Sequence, residues 1–292
     1  MSTNKIVLKT AEQFMSDYKP KYQPLYPLMM SSSQSHSQEV GTLAFKRLEA
    51  VGDIRAKHIT PKDTEIAQVG AKEGSKTFKK YFLANQFRHS LLQNPEGNDG
   101  VNVQILDEYQ KYFDELVFLG EGTADNNVKN NGVFWSGDDN HITNSSYEVL
   151  EDANDNYLAD LHTKIVGVAS DQADLIAGRK ALLVYGTSIQ PLFDSLYPAS
   201  QKPFKAALAE VLGANYSMAK MPAGTYASGA NGFLIVNLDQ IKFHYAALPA
   251  LMARGVNEES MYEWNNFLMG SAMVDVIASG GIIKQPLTLS AL

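Results

Sequence analysis

The clearest pattern of apolar and polar positions lies between Asn98 and Trp135. Ile105, Tyr109, Tyr112, Leu116 and Leu119 are spaced by 4, 3, 4 and 3, which places them on one stripe of an α-helix. Leu106, Phe113 and Val117 widen the stripe, while Asp107, Glu108, Lys111, Asp114 and Glu115 fill the expected wet face. Asn98 or Asp99 caps the start, and Gly120 fits the left-handed position just past the end. A polar, asparagine-rich loop follows, GEGTADNNVKNNGVFW, closing on a large apolar pair.

Elsewhere the periodicity is weaker but still divides the chain. Residues 1–44 lack apolar periodicity and are punctuated by Pro20, Pro24 and Pro27, which leaves two readings. One is a disordered tail. The other is an extended arm laid across a neighbouring subunit, since Tyr18, Tyr22, Leu25, Tyr26, Leu28, Met29 and Met30 are too apolar for a solvated segment. Residues 46–75 alternate charged and apolar positions with glycine breaks, the pattern of a two-stranded charged ribbon. An isolated hairpin is marginal in water, so a projecting one needs a partner surface.

Beyond a polar stretch at 136–152 the pattern becomes mixed. Segments around 157–166 and SDQADLIAG read as helices, KALLVYG as a buried strand, and SIQPLFDSLYP and KPFKAALAEVLG as helices. Pro203 suits a first helical turn and Gly213 a helix end. NYSMAKMP, GFLIVNL and IKFHYAAL read as strands, and 258–289 as strands broken near Gly270 and at Gly280–Gly281. Helices and strands mix without strict βαβ alternation, so the expected class is α+β.

Composition narrows the function more than the fold. A chain of 292 residues supports a sizeable core in one or two domains. It has no cysteine, which excludes disulfides, thiolate zinc sites and a cysteine nucleophile. No stretch reaches a membrane span, and Met1–Tyr18 lacks a signal-peptide apolar region, so a soluble protein made in a cytoplasm is expected. The net charge is −7 with acidic and basic residues interleaved, and the densest basic group is Lys76, Lys79, Lys80 and Arg88. Nucleic-acid readers carry a stronger basic patch.

Candidate chemistry is thin. Gly120-x-Gly122 follows a helix and lacks the lysine-serine of a phosphate loop. Asp125, Asn126, Asn127, Asn130 and Asn131 miss the calcium-loop spacing and read as turn formers. His141 beside Asp138, Asp139 and Asn140 has no second histidine at a ligand offset. Tyr185-Gly186-Thr187-Ser188 lacks the second glycine of a nucleophile elbow, and His244 sits in an apolar strand as a core residue. No catalytic constellation, metal site or cofactor site emerges, and a structural role is expected.

The run ILDEYQKYFDELVFLGEGTADNNVKNNGVFW resembles the spine-helix region of tailed-phage major capsid proteins, where an acidic helix ends in a glycine turn leading into the shell domain. TFKKYFLANQFRHSLLQN is similar to the strand and short helix that precede that spine, and MGSAMVDVIASGGIIKQPLTL to the family's terminal strands. The three segments occur in the family's order over about half the chain. The resemblance implies a Johnson-type capsid fold: an arm at 1–44, an extended hairpin at 45–78, a peripheral domain at 79–154 and 256–292 with the spine helix at 101–119, and an axial domain at 155–255. It implies a self-assembling shell of hexamers and pentamers around a double-stranded DNA genome, located in the virion and assembled in the host bacterial cytoplasm.

Subunits would then meet through the arm (Tyr22, Tyr26, Met29), the hairpin (Arg55, Lys57, Lys62, Asp63, Glu65) and an adaptable axial loop (Gly224, Tyr226, Gly229). Scaffolding, portal and decoration proteins are further expected partners; no membrane and no cofactor are. Some members begin with a charged helical scaffold that is cleaved, whereas Met1 here leads into the arm, implying a separate scaffold or none. Some are joined by lysine–asparagine isopeptide bonds; Lys57 or Lys62 would be the donor, but no partner matches a motif, and an uncrosslinked shell is expected. The alternatives are an encapsulin-type compartment with the same fold, a cytoplasmic α+β enzyme with a concave pocket, and a β-rich tail or decoration protein.

Overall fold

The computed structural model of the chain describes residues 8–35, 41–51, 70–93, 99–120, 132, 147–150, 163, 166–167, 170, 180–186, 195–197, 201–213, 216–220, 233–277, 281–285 and 287–290. The first elements are α1 (Ala11–Asp17), a 3-10 helix (Tyr26–Ser32), β1 (Ser33–Ser35), β2 (Gly41–Val51), β3 (Gly70–Lys80), β4 (Phe82–Ser90) and α2 (Asp99–Leu119). Then come β5 (Tyr147–Leu150), β6 (Ala181–Tyr185), β7 (Leu196–Tyr197), β8 (Lys202–Pro203), α3 (Phe204–Leu212), β9 (Tyr216–Lys220), β10 (Phe233–Asn237) and β11 (Ile241–Tyr245). The chain closes with β12 (Ala250–Asn257), β13 (Tyr262–Gly270), β14 (Ala272–Val276), β15 (Ile282–Gln285) and β16 (Leu287–Ser290). Helices and strands are mixed as the patterning predicts, and the class is α+β. Among the described residues, no helix is long and apolar enough to cross a membrane.

Three sheets organise these elements: β1-β11-β14, β15-β10-β6-β9 and β12-β13-β4. In the second, β6 and β9 run parallel, which demands a crossover, and α3 lies between them in sequence. The turn from β10 into β11 carries the chain from the second sheet to the first, and the step from β14 to β15 repeats the transfer. Strands β2 and β3 pair antiparallel from Gly41↔Lys80 to Val51↔Gly70, a two-stranded ribbon that extends beyond 46–75 at its base. Residues 52–69, where Arg55, Lys57, Lys62, Asp63 and Glu65 fall, lie outside the described residues, as do 221–232 with Gly224, Tyr226 and Gly229.

One core joins the sheets to α2. Phe113, Val117 and Phe118 of the helix pack with Phe243 of β11, Val274 and Val276 of β14, Leu182 and Val184 of β6, and Ile282 of β15. Phe113 meets Tyr26 edge-on at 4.9 Å and Phe243 at 6.3 Å between ring centroids. A second cluster gathers Phe14 of α1, Leu106 of α2, Leu251 of β12 and Phe267 of β13.

Three expectations are corrected here. SIQPLFDSLYP was expected to be a helix, but its described residues Leu196–Tyr197 form β7, held as a strand by antiparallel pairing with β8. The stretch before the spine helix was expected to be a strand and a short helix; it is two strands, β3 and β4, because β4 pairs with β13 from Phe82↔Gly270 to Ser90↔Tyr262. In its described part, 8–35, the arm is a folded segment packed on its own chain rather than a disordered tail. Thr10-Ala-Glu-Gln13 forms a capping box that starts α1, with Gln13 N–H donating to Thr10 Oγ1 at 3.2 Å and Thr10 N–H to Gln13 Oε1 at 3.0 Å. Beyond α1 the chain enters its own core and ends as β1, parallel to β11.

Candidate functional site

Among the described residues, the best-defined polar geometry is where the arm lies along α2. The helix was expected to turn Asp114 to water. Instead its buried face is centred on Leu106, Gln110, Phe113 and Val117, about a quarter-turn from the expected stripe. Asp114 is 0 % exposed, whereas Tyr112, expected inside, is 44 % exposed. The physical reason is the arm, which covers one flank of the helix and brings donors with it.

Asp114 accepts three hydrogen bonds from the arm. The Tyr22 hydroxyl donates to Oδ2 at 2.7 Å, Leu25 N–H to Oδ2 at 2.7 Å and Tyr26 N–H to Oδ1 at 2.8 Å. Two turns earlier, Asp107 Oδ1 accepts from the Tyr18 hydroxyl at 2.6 Å and from Lys21 N–H at 3.1 Å. The arm from 18 to 26 thus runs along the helix from Asp107 to Asp114. It is fixed beyond that point by the Ser32 hydroxyl, which donates to the Leu238 carbonyl. Burial, then the negative charge of Asp114, drives the Tyr22 phenol far above its ordinary range, so it remains a donor. Burial likewise pushes Tyr26 to about 12.

Burial pushes Asp114 itself up to about 6, against the three hydrogen bonds that favour its ionised form. Because the folded value lies above the ordinary 3.8, the unfolded chain loses this proton first as pH rises. The group's contribution to stability is therefore fully present below that ordinary value and is lost as pH rises through about 6. Measured by urea unfolding, the protein should gain about 1.4 kcal/mol over Asp114→Asn between pH 7.5 and 5, one pKa unit being worth 1.36 kcal/mol. A flat difference across that range would show that the carboxylate is charged at little cost.

A second polar group ties the start of α2 to the sheet β12-β13-β4. The side chains of Arg254 and Glu263 are 1 % and 0 % exposed. Arg254 Nε donates to Glu263 Oε1 at 2.9 Å, and Asn265 Nδ2 donates to the same oxygen at 2.9 Å. Arg254 Nη1 lies 2.7 Å from Asp99 Oδ1 in the first turn of α2, where the helix dipole also favours a carboxylate. Asn102 of the helix donates to Asn265 Oδ1 at 3.4 Å. Arg254 and Glu263 are a buried, paired set of charges, with the half-exposed Asp99 at their edge, and they position a helix with no nucleophile among them.

The interface residues expected on the arm are now placed. Met29 is 0 % exposed and Tyr26 is 7 % exposed, both in the core, and Tyr22 is half-buried on Asp114. The chain's own core takes up Leu25, Tyr26 and Met29, while Leu28 stays 40 % exposed. His244 lies inside β11 at 1 % exposure with Phe78 6.2 Å away, a core histidine. Sequence reasoning missed Asp107 and Asp114. Their trace was present: carboxylates seven residues apart on a helix, the second flanked by Phe113, Leu116 and Val117, and tyrosines at 18, 22 and 26 in the arm.

No protein-family model matches the chain, and no curated protein matches it. Solved structures do. The capsid protein of the Myoviridae phage XM1 superposes with a TM-score of 0.61 at 13% identity, over 93% of this chain and 95% of that one. The mature capsid of bacteriophage PhiM1 gives 0.55 at 12% identity, over 93% and 89%. The capsid of the cyanophage P-SCSP1u gives 0.55 at 10% identity, over 99% and 93%. Agreement along nearly the whole of each chain, at identities where side chains have been replaced throughout, means that this protein has the phage capsid fold.

Proposed function

We propose that this chain is the major capsid protein of a tailed phage. The observation that carries the reading is the capsid fold spanning 93% of the chain and 95% of the XM1 capsid protein. Its work is assembly rather than turnover. Hexamers and pentamers close an icosahedral shell around a double-stranded DNA genome, with scaffolding, portal and decoration proteins as partners, in the host cytoplasm and then in the virion. The division into arm (1–44), hairpin (45–78), peripheral domain (79–154 and 256–292) and axial domain (155–255) belongs to the same proposal, the boundary between 255 and 256 falling within β12. The arm latched on α2 keeps each subunit a finished unit. The ribbon of β2 and β3 and the axial loop, with Arg55, Lys57, Lys62, Asp63, Glu65, Gly224, Tyr226 and Gly229, make the contacts between subunits. No specific DNA binding is required at a net charge of −7.

Size-exclusion chromatography with negative-stain electron microscopy, on the chain alone and with its neighbouring genes, tests this. Closed shells or rings of five and six subunits are expected, with DNA in shells purified from a phage lysate. A monodisperse monomer or dimer under both conditions would end the proposal. Shells holding protein cargo and no DNA would make the chain a compartment protein of the same fold.

A further inference from the structure

The sheet β12-β13-β4 has two unlike faces. Glu263, Asn265 and Phe267 of β13 point into the protein, so Tyr262, Trp264 and Asn266 point the other way. On that outer face lies a cleft of about 470 Å³, lined by Gln86 and Arg88 of β4, Asn257 of β12, Ser260 of the turn after it and those three residues. The volume is that of a ligand site. Trp264 is seated deliberately: its register partner is Gly255, where a Cβ would stand 2.5 Å from the indole Cζ2. Only glycine lets the ring lie across the strand at that point.

The hydrogen bonds around the cleft leave more donors than acceptors open. Asn257 Oδ1 is occupied by the N–H groups of Glu259 and Ser260, at 3.1 and 3.2 Å. Asn266 Oδ1 accepts from Gln86 Nε2 at 3.1 Å, and Gln86 Oε1 accepts from Arg88 Nε at 2.8 Å. Asn257 Oδ1 is thus fully used, Asn266 Oδ1 and Gln86 Oε1 each keep one acceptor position, and the Asn257 and Asn266 amide hydrogens and the far fork of Arg88 remain to donate. No carboxylate among the described residues pairs with Arg88. The cleft therefore suits a ligand rich in acceptors, and the planar guanidinium fork fits a carboxylate. Exposed Glu258 and Glu259 in the adjoining turn work against a doubly charged phosphate more than against a single carboxylate. A central Trp, Tyr and Arg, with Tyr262 46 % exposed, is the make-up of a protein-binding hot spot.

We propose that this cleft is a docking site for an acidic peptide of a partner protein, holding one Asp or Glu carboxylate on Arg88 with the adjoining carbons against Trp264. The proposal stands apart from the shell reading and can fail without it. The chain has two tryptophans, so a Trp135→Phe variant of the full chain reports on Trp264 alone. Its fluorescence would be titrated with doubly capped Gly-Glu-Gly, capped Gly-Gln-Gly, glucuronate and inorganic phosphate. A saturable change with the glutamate peptide is expected, at least about tenfold weaker with the glutamine peptide. Arg88→Gln should abolish it, and Arg88→Lys, which keeps the charge and loses the fork, should weaken it several-fold. Equal response to glutamine, an unaffected Arg88→Gln variant or no saturation would overturn the proposal. Tighter binding of glucuronate or phosphate would also overturn it, by assigning the cleft to a sugar acid or a phosphate.

Discussion

Asp114→Ala should destabilise the protein by about 2–5 kcal/mol, because it strands donors that have no other acceptor. Leu25 N–H and Tyr26 N–H are buried, and each unpaired buried donor costs about 1–3 kcal/mol. The half-buried Tyr22 hydroxyl can turn to water and softens the total. Relief from burying a charge softens it too, which is why the range does not run higher. Against a typical whole-domain stability of about 5–15 kcal/mol, the loss is large. It is also local: the arm should leave the helix before the rest of the fold opens. Urea unfolding gives the magnitude, and limited proteolysis within 18–35 gives the place. Asp107→Ala is the control, since that carboxylate is only half-buried and its partners are nearer water. If both variants unfold at the same urea concentration and the arm stays protected, Asp114 does not hold it.

Arg254→Met should cost about 3–5 kcal/mol, the range for breaking a buried ion pair by removing one partner. Glu263, 0 % exposed, would keep only Asn265 as a donor, and Asp99 would lose its charge partner at the start of α2. The loss should be mostly reversed in the double variant Arg254→Met/Glu263→Met. Replacing both members of a buried pair by apolar residues of similar size is often nearly neutral. The pair therefore contributes less to net stability than to the placement of the helix over the strands. Additive losses in the double variant, measured by the same urea assay, would contradict this and show that the two side chains act independently.

Legibility differed by element, for reasons that are physical. The spine helix was legible because its signals are local: a long 3.6-residue period and a glycine stop, and Gly120 does adopt a left-handed φ of 71°. Strands β6, β9, β10 and β11 were legible for the same reason. The capping box of α1 was equally local and went unread inside a proline-rich segment. The helix expected after β3 failed because a strand of mixed polarity such as β4 is decided by its partner, β13, roughly 180 residues away.

The candidate site was the least legible part. Which way α2 faces, and whether Asp114 is wet or buried, depends on a segment separated from it by about 90 residues. Helical period places Asp114 on a line with its neighbours, but cannot say that an arm will arrive with three donors for it.

By itself, then, the amino-acid sequence determined the α+β class, the length and ends of the main helix, the charged ribbon, the order of the closing strands and the absence of cysteine chemistry. Each follows from interactions within a few residues or from composition. Only the tertiary structure decided that the arm is latched to its own helix, that a carboxylate lies in the core, that Arg254 and Glu263 share a buried charge network, and that one face of β12-β13-β4 is left rich in donors. Those outcomes depend on which distant segments meet. Burying a polar group is favourable only once a partner has been brought to it, and that partner is chosen by the fold.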